Sequence, residues 1–84
     1  MKLRRDYPYN QAIDDFAVFL SRVVKDKSVL EEFTCILVDA RKRHTFPIRG
    51  LHNKLMSYRR DSSDYTPFTE EEREMIEDLM HFWG

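Results

Sequence analysis

Ser28-Val29-Leu30-Glu31-Glu32-Phe33-Thr34-Cys35-Ile36-Leu37-Val38 is the stretch on which the fold class turns. Residues 33–38 are apolar and β-branched enough to form a short buried strand, and periodicity alone does not separate that reading from a helix. Ser28 and Glu31 tip the balance. S-x-x-E is a capping box, in which each side chain accepts a hydrogen bond from the other residue's otherwise unpaired backbone N–H. The box predicts a helix from Val29, with Leu30, Phe33, Leu37 and Ala40 on its inner face. Arg41, Lys42 and Arg43 then lie against the negative end of its dipole.

Working outward from that stretch, the N-terminal side reads as a helix over about 11–26. Asn10 is its expected N-cap, Asp14 and Asp15 lie early in it, and Lys25 and Lys27 lie at or past its end. Ile13, Phe16, Ala17, Leu20, Val23 and Val24 recur at spacings of three and four, which marks one buried face. On the C-terminal side the second helix is expected over about 29–43. Pro47 fits the first position of a third, about 47–60, whose stripe is Ile48, Leu51, Leu55 and Tyr58. Gly50 inside this helix predicts an irregular first turn or close backbone packing. The polar stretch 61–64 and residues 65–68 form a loop. Thr69 and Glu72 then make a second capping box, opening a helix over about 70–83 with Met75, Ile76, Leu79, Met80 and Trp83 inward. The expected fold is all-α, a compact four-helix bundle in a single domain over 1–84.

With 84 residues, 42% hydrophobic and 13% aromatic, and with two Gly and three Pro, the composition is that of one small globular domain. A chain this short buries only about 60–65% of its unfolded surface, so stability rests on a small core. The single cysteine, Cys35, excludes an intrachain disulfide, and its apolar neighbours predict a buried, inert thiol. The basic first residues are followed by no apolar stretch, and the longest apolar runs are four residues. A signal peptide and a membrane span are therefore not expected, and a cytoplasmic setting is.

Charge is the strongest functional feature. Arg41, Lys42, Arg43, Arg49, Lys54, Arg59 and Arg60 give residues 41–60 a charge of +7 with no acid. Residues 61–84 hold eight acids against Arg73 alone, or −7, and the total is −1. Two opposed blocks thus underlie a near-neutral chain. They either face each other in the fold, lie solvated on helix faces, or offer a binding surface.

Phe16-x-x-Phe19-Leu20, His44-Thr45-Phe46-Pro47 and Ser63-Asp64-Tyr65-Thr66 together resemble the small bacterial YozE-type family, with its SAM-like helical fold. The similarity covers most of the chain. Arg41, Lys42 and Arg43 stand where that family carries acidic residues before the Phe-Pro pair. The resemblance implies a four-helix SAM-like bundle. That family has no established biochemical activity, so it implies no mechanism.

No catalytic or metal constellation is expected. His44 and His52 are eight residues apart, not the four that put two ligands on one helical face, and His81 stands alone. The glutamates at 70, 71, 72 and 74 are explained by the positive end of a helix dipole. The expected function is therefore a non-enzymatic protein–protein interaction module without a cofactor, acting on an unidentified protein partner or through self-association. Its candidate contact residues are the seven cations above together with Trp83; Phe82, Tyr7 and Tyr9 are further aromatic candidates, with core packing as the simpler account of Trp83 and the tyrosines. The alternative is nucleic-acid binding through the basic 41–60 segment, with Tyr58 alongside.

Overall fold

A computed structural model describes residues 8–83 and contains four helices: α1 (Tyr9–Val23), α2 (Lys27–Arg43), α3 (Ile48–Ser62) and α4 (Glu70–Trp83). Among the described residues there is no strand, and 33–38 lie inside α2. α1 packs along α2, and α3 along α4. The Cα atoms span 35 × 31 × 17 Å. Two helix layers with axes about 8–10 Å apart and Cα atoms about 2.3 Å from each axis need about 13–15 Å and three need more than about 20 Å, so the shortest dimension holds two layers.

The core is one cluster. Ile13, Phe16, Leu20 and Val23 of α1, Phe33 of α2, Ile48, Leu51 and Leu55 of α3 and Leu79 of α4 are the largest fully buried side chains. Phe16 and Phe19, from the early aromatic motif, are both buried, and Phe16 meets Phe46 edge-on at 5.8 Å. Burying a side chain of this size contributes about 1.5–3 kcal/mol, so these few residues carry most of the stability.

Two expected caps are replaced. α1 starts one residue ahead of Asn10, with Pro8 at the N-cap and Asn10 exposed in the first turn. The earlier start puts Tyr9 in the repeat with Ala12, Ile13 and Phe16 and buries its ring. That burial outweighs an Asn cap of about 1 kcal/mol. α2 begins at Lys27 because Asp26, not Ser28, is its N-cap. The Asp26 carboxylate accepts from Ser28 N at 2.9 Å and from Val29 N at 3.4 Å. A full negative charge at the positive helix end is a stronger acceptor than a serine hydroxyl, and it takes the Ser28 N–H before the box can form. α1 ends at Val23, three residues short of the expected limit, and α3 runs two residues past its own to Ser62. Pro47 takes the N-cap position of α3, one residue before its first turn.

The second capping box forms as expected. Thr69 N donates to Glu72 Oε1 at 2.8 Å, and Glu72 N donates to Thr69 Oγ1 at 3.1 Å. Cys35, in contrast, is exposed. It lies two residues from both Phe33 and Leu37, about 200° around the helix from each, which sets it on the outer face.

Gly50 needs neither an irregular turn nor a close neighbour. Its φ is not positive, and a Cβ built there meets nothing within 4 Å. Gly50→Ala is therefore expected to stabilise the fold by about 0.5–1 kcal/mol. At about 4–8 °C per kcal/mol for a domain of this size, thermal unfolding followed by circular dichroism should show Tm rising by several degrees. An unchanged or lower Tm would contradict this account of the position.

Candidate functional site

Two tyrosine hydroxyls close the corners of the bundle and so set which charged side chains face outward. Tyr9 Oη lies 2.8 Å from Ala40 O and 2.6 Å from Thr45 O, and it shares its one proton between these carbonyls at the end of α2. His44, the α2 C-cap in the left-handed region (φ 52°), stacks on the Tyr9 ring with centroids 4.2 Å apart. Trp83 meets that ring edge-on at 5.5 Å.

At the opposite corner Tyr58 is buried and its hydroxyl is fully used. It donates to Asp64 Oδ2 and accepts from Lys25 N at 3.1 Å and Asp26 N at 3.4 Å. Asp64 is saturated in turn. Oδ2 also takes Lys25 N at 3.3 Å, and Oδ1 takes Thr66 Oγ1 at 2.7 Å and Thr66 N at 3.4 Å. Donors to the ionised form favour it. The Tyr58 hydroxyl foremost, with Thr66 and Lys25, holds the Asp64 carboxyl down at about 2. Burial, then the bond to Asp64, pushes the Tyr58 hydroxyl above the usual tyrosine range.

The seven candidate cations separate into three groups. Arg41 pairs with Asp14, Arg43 with Asp39 at 3.2 Å, and Lys54 with Glu32 at 3.1 Å. Exposed pairs of this kind contribute about 0–1 kcal/mol each, so their main effect is to neutralise those side chains. Arg59 is half-buried: it donates to Thr66 O at 2.7 Å and lies 4.4 Å over the Phe68 ring. Lys42, Arg49 and Arg60 make no ion pair among the described residues. Lys42 is at the end of α2 and Arg49 in the first turn of α3, joined by a connection of only a few residues. Arg60 is eleven residues beyond Arg49 and so about 20° around the helix and 16 Å along it.

Among the described residues no ion pair joins the basic segment to the acidic one. Each block instead pairs with the first half of the chain, and Glu72 is the acidic block's example. Arg22 grips it with both Nε, at 2.7 Å, and Nη2, and Nη2 also donates to Pro67 O at 2.7 Å. The Arg22 hydrogen bond first, and the Thr69 cap after it, keep the Glu72 carboxyl below the usual glutamate range. Sequence reasoning missed Arg22, whose partner is 50 residues away with no local signal.

The same region holds a surface groove of about 370 Å³ between α1 and the start of α4. Val18, Phe19 and Met75 supply its apolar wall, with Asp15, Arg22 and Glu71 among its polar lining. Val18, 69% exposed, was not among the expected contact residues.

The aromatic candidates mostly serve packing. Tyr9 is buried, Phe82 and Trp83 are half-buried against the core, and Tyr7 lies outside the described residues. Among the described residues Tyr65 is the exposed aromatic, at 62%. His44 stacks on Tyr9 and His81 lies edge-on to Phe82 at 4.9 Å. Among the described residues no group of three His, Cys, Asp or Glu is placed to hold a metal ion, and no helix is long and apolar enough to cross a membrane. Comparison with protein-family models, curated proteins and solved structures found no match to this chain.

Because the Asp64 carboxyl is depressed, its contribution to stability is complete above about pH 4 and is lost as pH falls toward 2. Tyr58→Phe removes the hydroxyl and keeps the ring, and should cost on the order of 1–3 kcal/mol at pH 7. Urea unfolding across the acid range should show the gap between wild type and Tyr58→Phe narrowing between about pH 4 and 2. A gap independent of pH would mean that Tyr58 does not hold the Asp64 carboxylate.

Proposed function

We propose that this chain is a non-enzymatic protein–protein interaction module whose contact edge runs from Lys42 at the end of α2 along the outer face of α3. The observation that carries this reading is that Lys42, Arg49 and Arg60 make no ion pair among the described residues, while Arg41, Arg43 and Lys54 do. Unpaired cations at fixed spacing on a rigid helix steer an acidic partner and disfavour a basic one. The resemblance to the YozE-type family enters the proposal at the level of fold and adds no activity. A reducing, cytoplasmic setting belongs to it too, and an exposed free thiol at Cys35 suits such a compartment.

Nucleic-acid binding is the alternative. It draws on the same cations, but Tyr58, the aromatic of that segment, is only 7% exposed and its hydroxyl is engaged, so its ring offers no stacking face. Within 41–60, the three cations that make neither an ion pair nor a hydrogen bond among the described residues are also few beside the six to ten phosphate contacts of well-studied binders.

Reversal of Lys42, Arg49 and Arg60 to Glu leaves every ion pair described above intact. In an affinity capture the wild-type chain should retain an acidic protein partner and the triple variant should lose it. The equivalent triple reversal at Arg41, Arg43 and Lys54 should weaken capture less. Equal retention by wild type and the Lys42, Arg49, Arg60 variant would overturn the proposed edge. Retention of DNA or RNA that falls steeply with salt, with no protein captured, would favour the alternative.

A further inference from the structure

The geometry points to a second copy of this chain as an occupant of the groove between α1 and α4, seated there by the outer face of its α3. This inference rests on the proposed function and names one partner for the same edge. The groove supplies one half of the contact. Its wall carries Val18, the most exposed of the large hydrophobic side chains among the described residues, beside Phe19 and Met75. Arg22 is already gripped by Glu72 and Pro67, so it offers a knob little positive charge to repel it. Glu71 on the rim is exposed and makes no ion pair among the described residues, and Glu70 precedes it in the same helical turn. The groove is therefore apolar inside and acidic at its edge.

The complementary half is on the same chain. Arg49, Asn53, Met56 and Arg60 fall at i, i+4, i+7 and i+11, within about 60° of arc on α3. That stripe places a half-buried methionine between two unpaired cations with no acid between them. Methionine is flexible enough to fill an irregular apolar groove. Flanking arginines meet acids at the rim, giving the apolar centre and polar margin of a protein interface. The two surfaces share no residue, so the contact is heterologous and builds short chains or a ring.

Two variants separate the halves. The edge variant is Arg49→Glu with Arg60→Glu, and the groove variant is Val18→Gln with Glu71→Gln. All four positions are exposed. Sedimentation equilibrium at about 20 mM salt, where the Debye length exceeds 20 Å, should give a wild-type average mass that rises with concentration beyond the single chain. Each variant alone should stay near 10.2 kDa. Mixed in equal amounts, the variants have one intact edge and one intact groove between them. They should form a 1:1 pair and nothing larger, and that recombination also demonstrates that both are folded. A wild-type chain that remains single up to about 1 mM, the range of the weakest specific contacts, would overturn the inference. So would variants that associate as the wild type does or fail to recombine. A single chain that still captures a foreign protein through Lys42, Arg49 and Arg60 would overturn self-association and leave the interaction-module reading standing; one that captures nothing would overturn both.

Discussion

The Tyr58 hydroxyl is the point on which the rest of the structure depends. It is an α3 group, yet it donates to a carboxylate in the α3–α4 loop and accepts from two amides in the α1–α2 connection. α1 packs along α2 and α3 along α4, so this one oxygen joins the two helix pairs. Its bonds leave no donor or acceptor capacity unused, which matters at a buried site where an unmade bond costs about 1–3 kcal/mol. Tyr9 performs the same task at the other end, tying the start of α1 to the α2–α3 corner. In a chain with a small core and no disulfide, such corner bonds decide how the helix pairs meet.

The way the pairs meet determines which charges are spent inside the fold and which remain outside. Arg41 reaches Asp14 because α1 lies along α2, and Lys54 of α3 reaches Glu32 of α2. Arg22 closes α1 onto the Thr69–Glu72 cap, so one carboxylate serves a helix end and a tertiary contact together. Lys42, Arg49 and Arg60 remain outside this set. The +7 and −7 segments thus do not cancel each other by ion pairing within the described residues, although α3 packs along α4.

Most of the architecture was legible because helix periodicity is a local signal. The Thr69–Glu72 box and the inward positions of α3 follow from residues within one or two turns of each other, whereas 33–38 are helical as expected although the Ser28–Glu31 box that argued for it gives way to the Asp26 cap. The misreadings share a cause. Asn10 and Ser28 are good caps in isolation, but Tyr9 had a core position to fill and Asp26 was a stronger acceptor two residues upstream. Cys35 has apolar neighbours in sequence, but its angle to Phe33 and Leu37 sets it on the outer face. Gly50 in a helix suggests a demand for space, whereas its site is open. The candidate surface is legible in the sequence as a set of seven cations but not as the three, Lys42, Arg49 and Arg60, that make neither an ion pair nor a hydrogen bond among the described residues. Pairs such as Arg22 with Glu72 join residues 50 apart, and nothing local in the sequence marks them.

Hydrogen exchange at the Lys25 amide tests the central claim most directly. This N–H lies between α1 and α2, outside any helix, and its acceptors are Tyr58 Oη and Asp64 Oδ2. If the Tyr58 corner joins the two helix pairs, the Lys25 amide exchanges only when the whole fold opens, with protection close to that of core amides in α1. In Tyr58→Phe it should lose most of that protection while the α1 core keeps its own. Exchange at an unprotected loop rate in the wild-type chain would contradict the account.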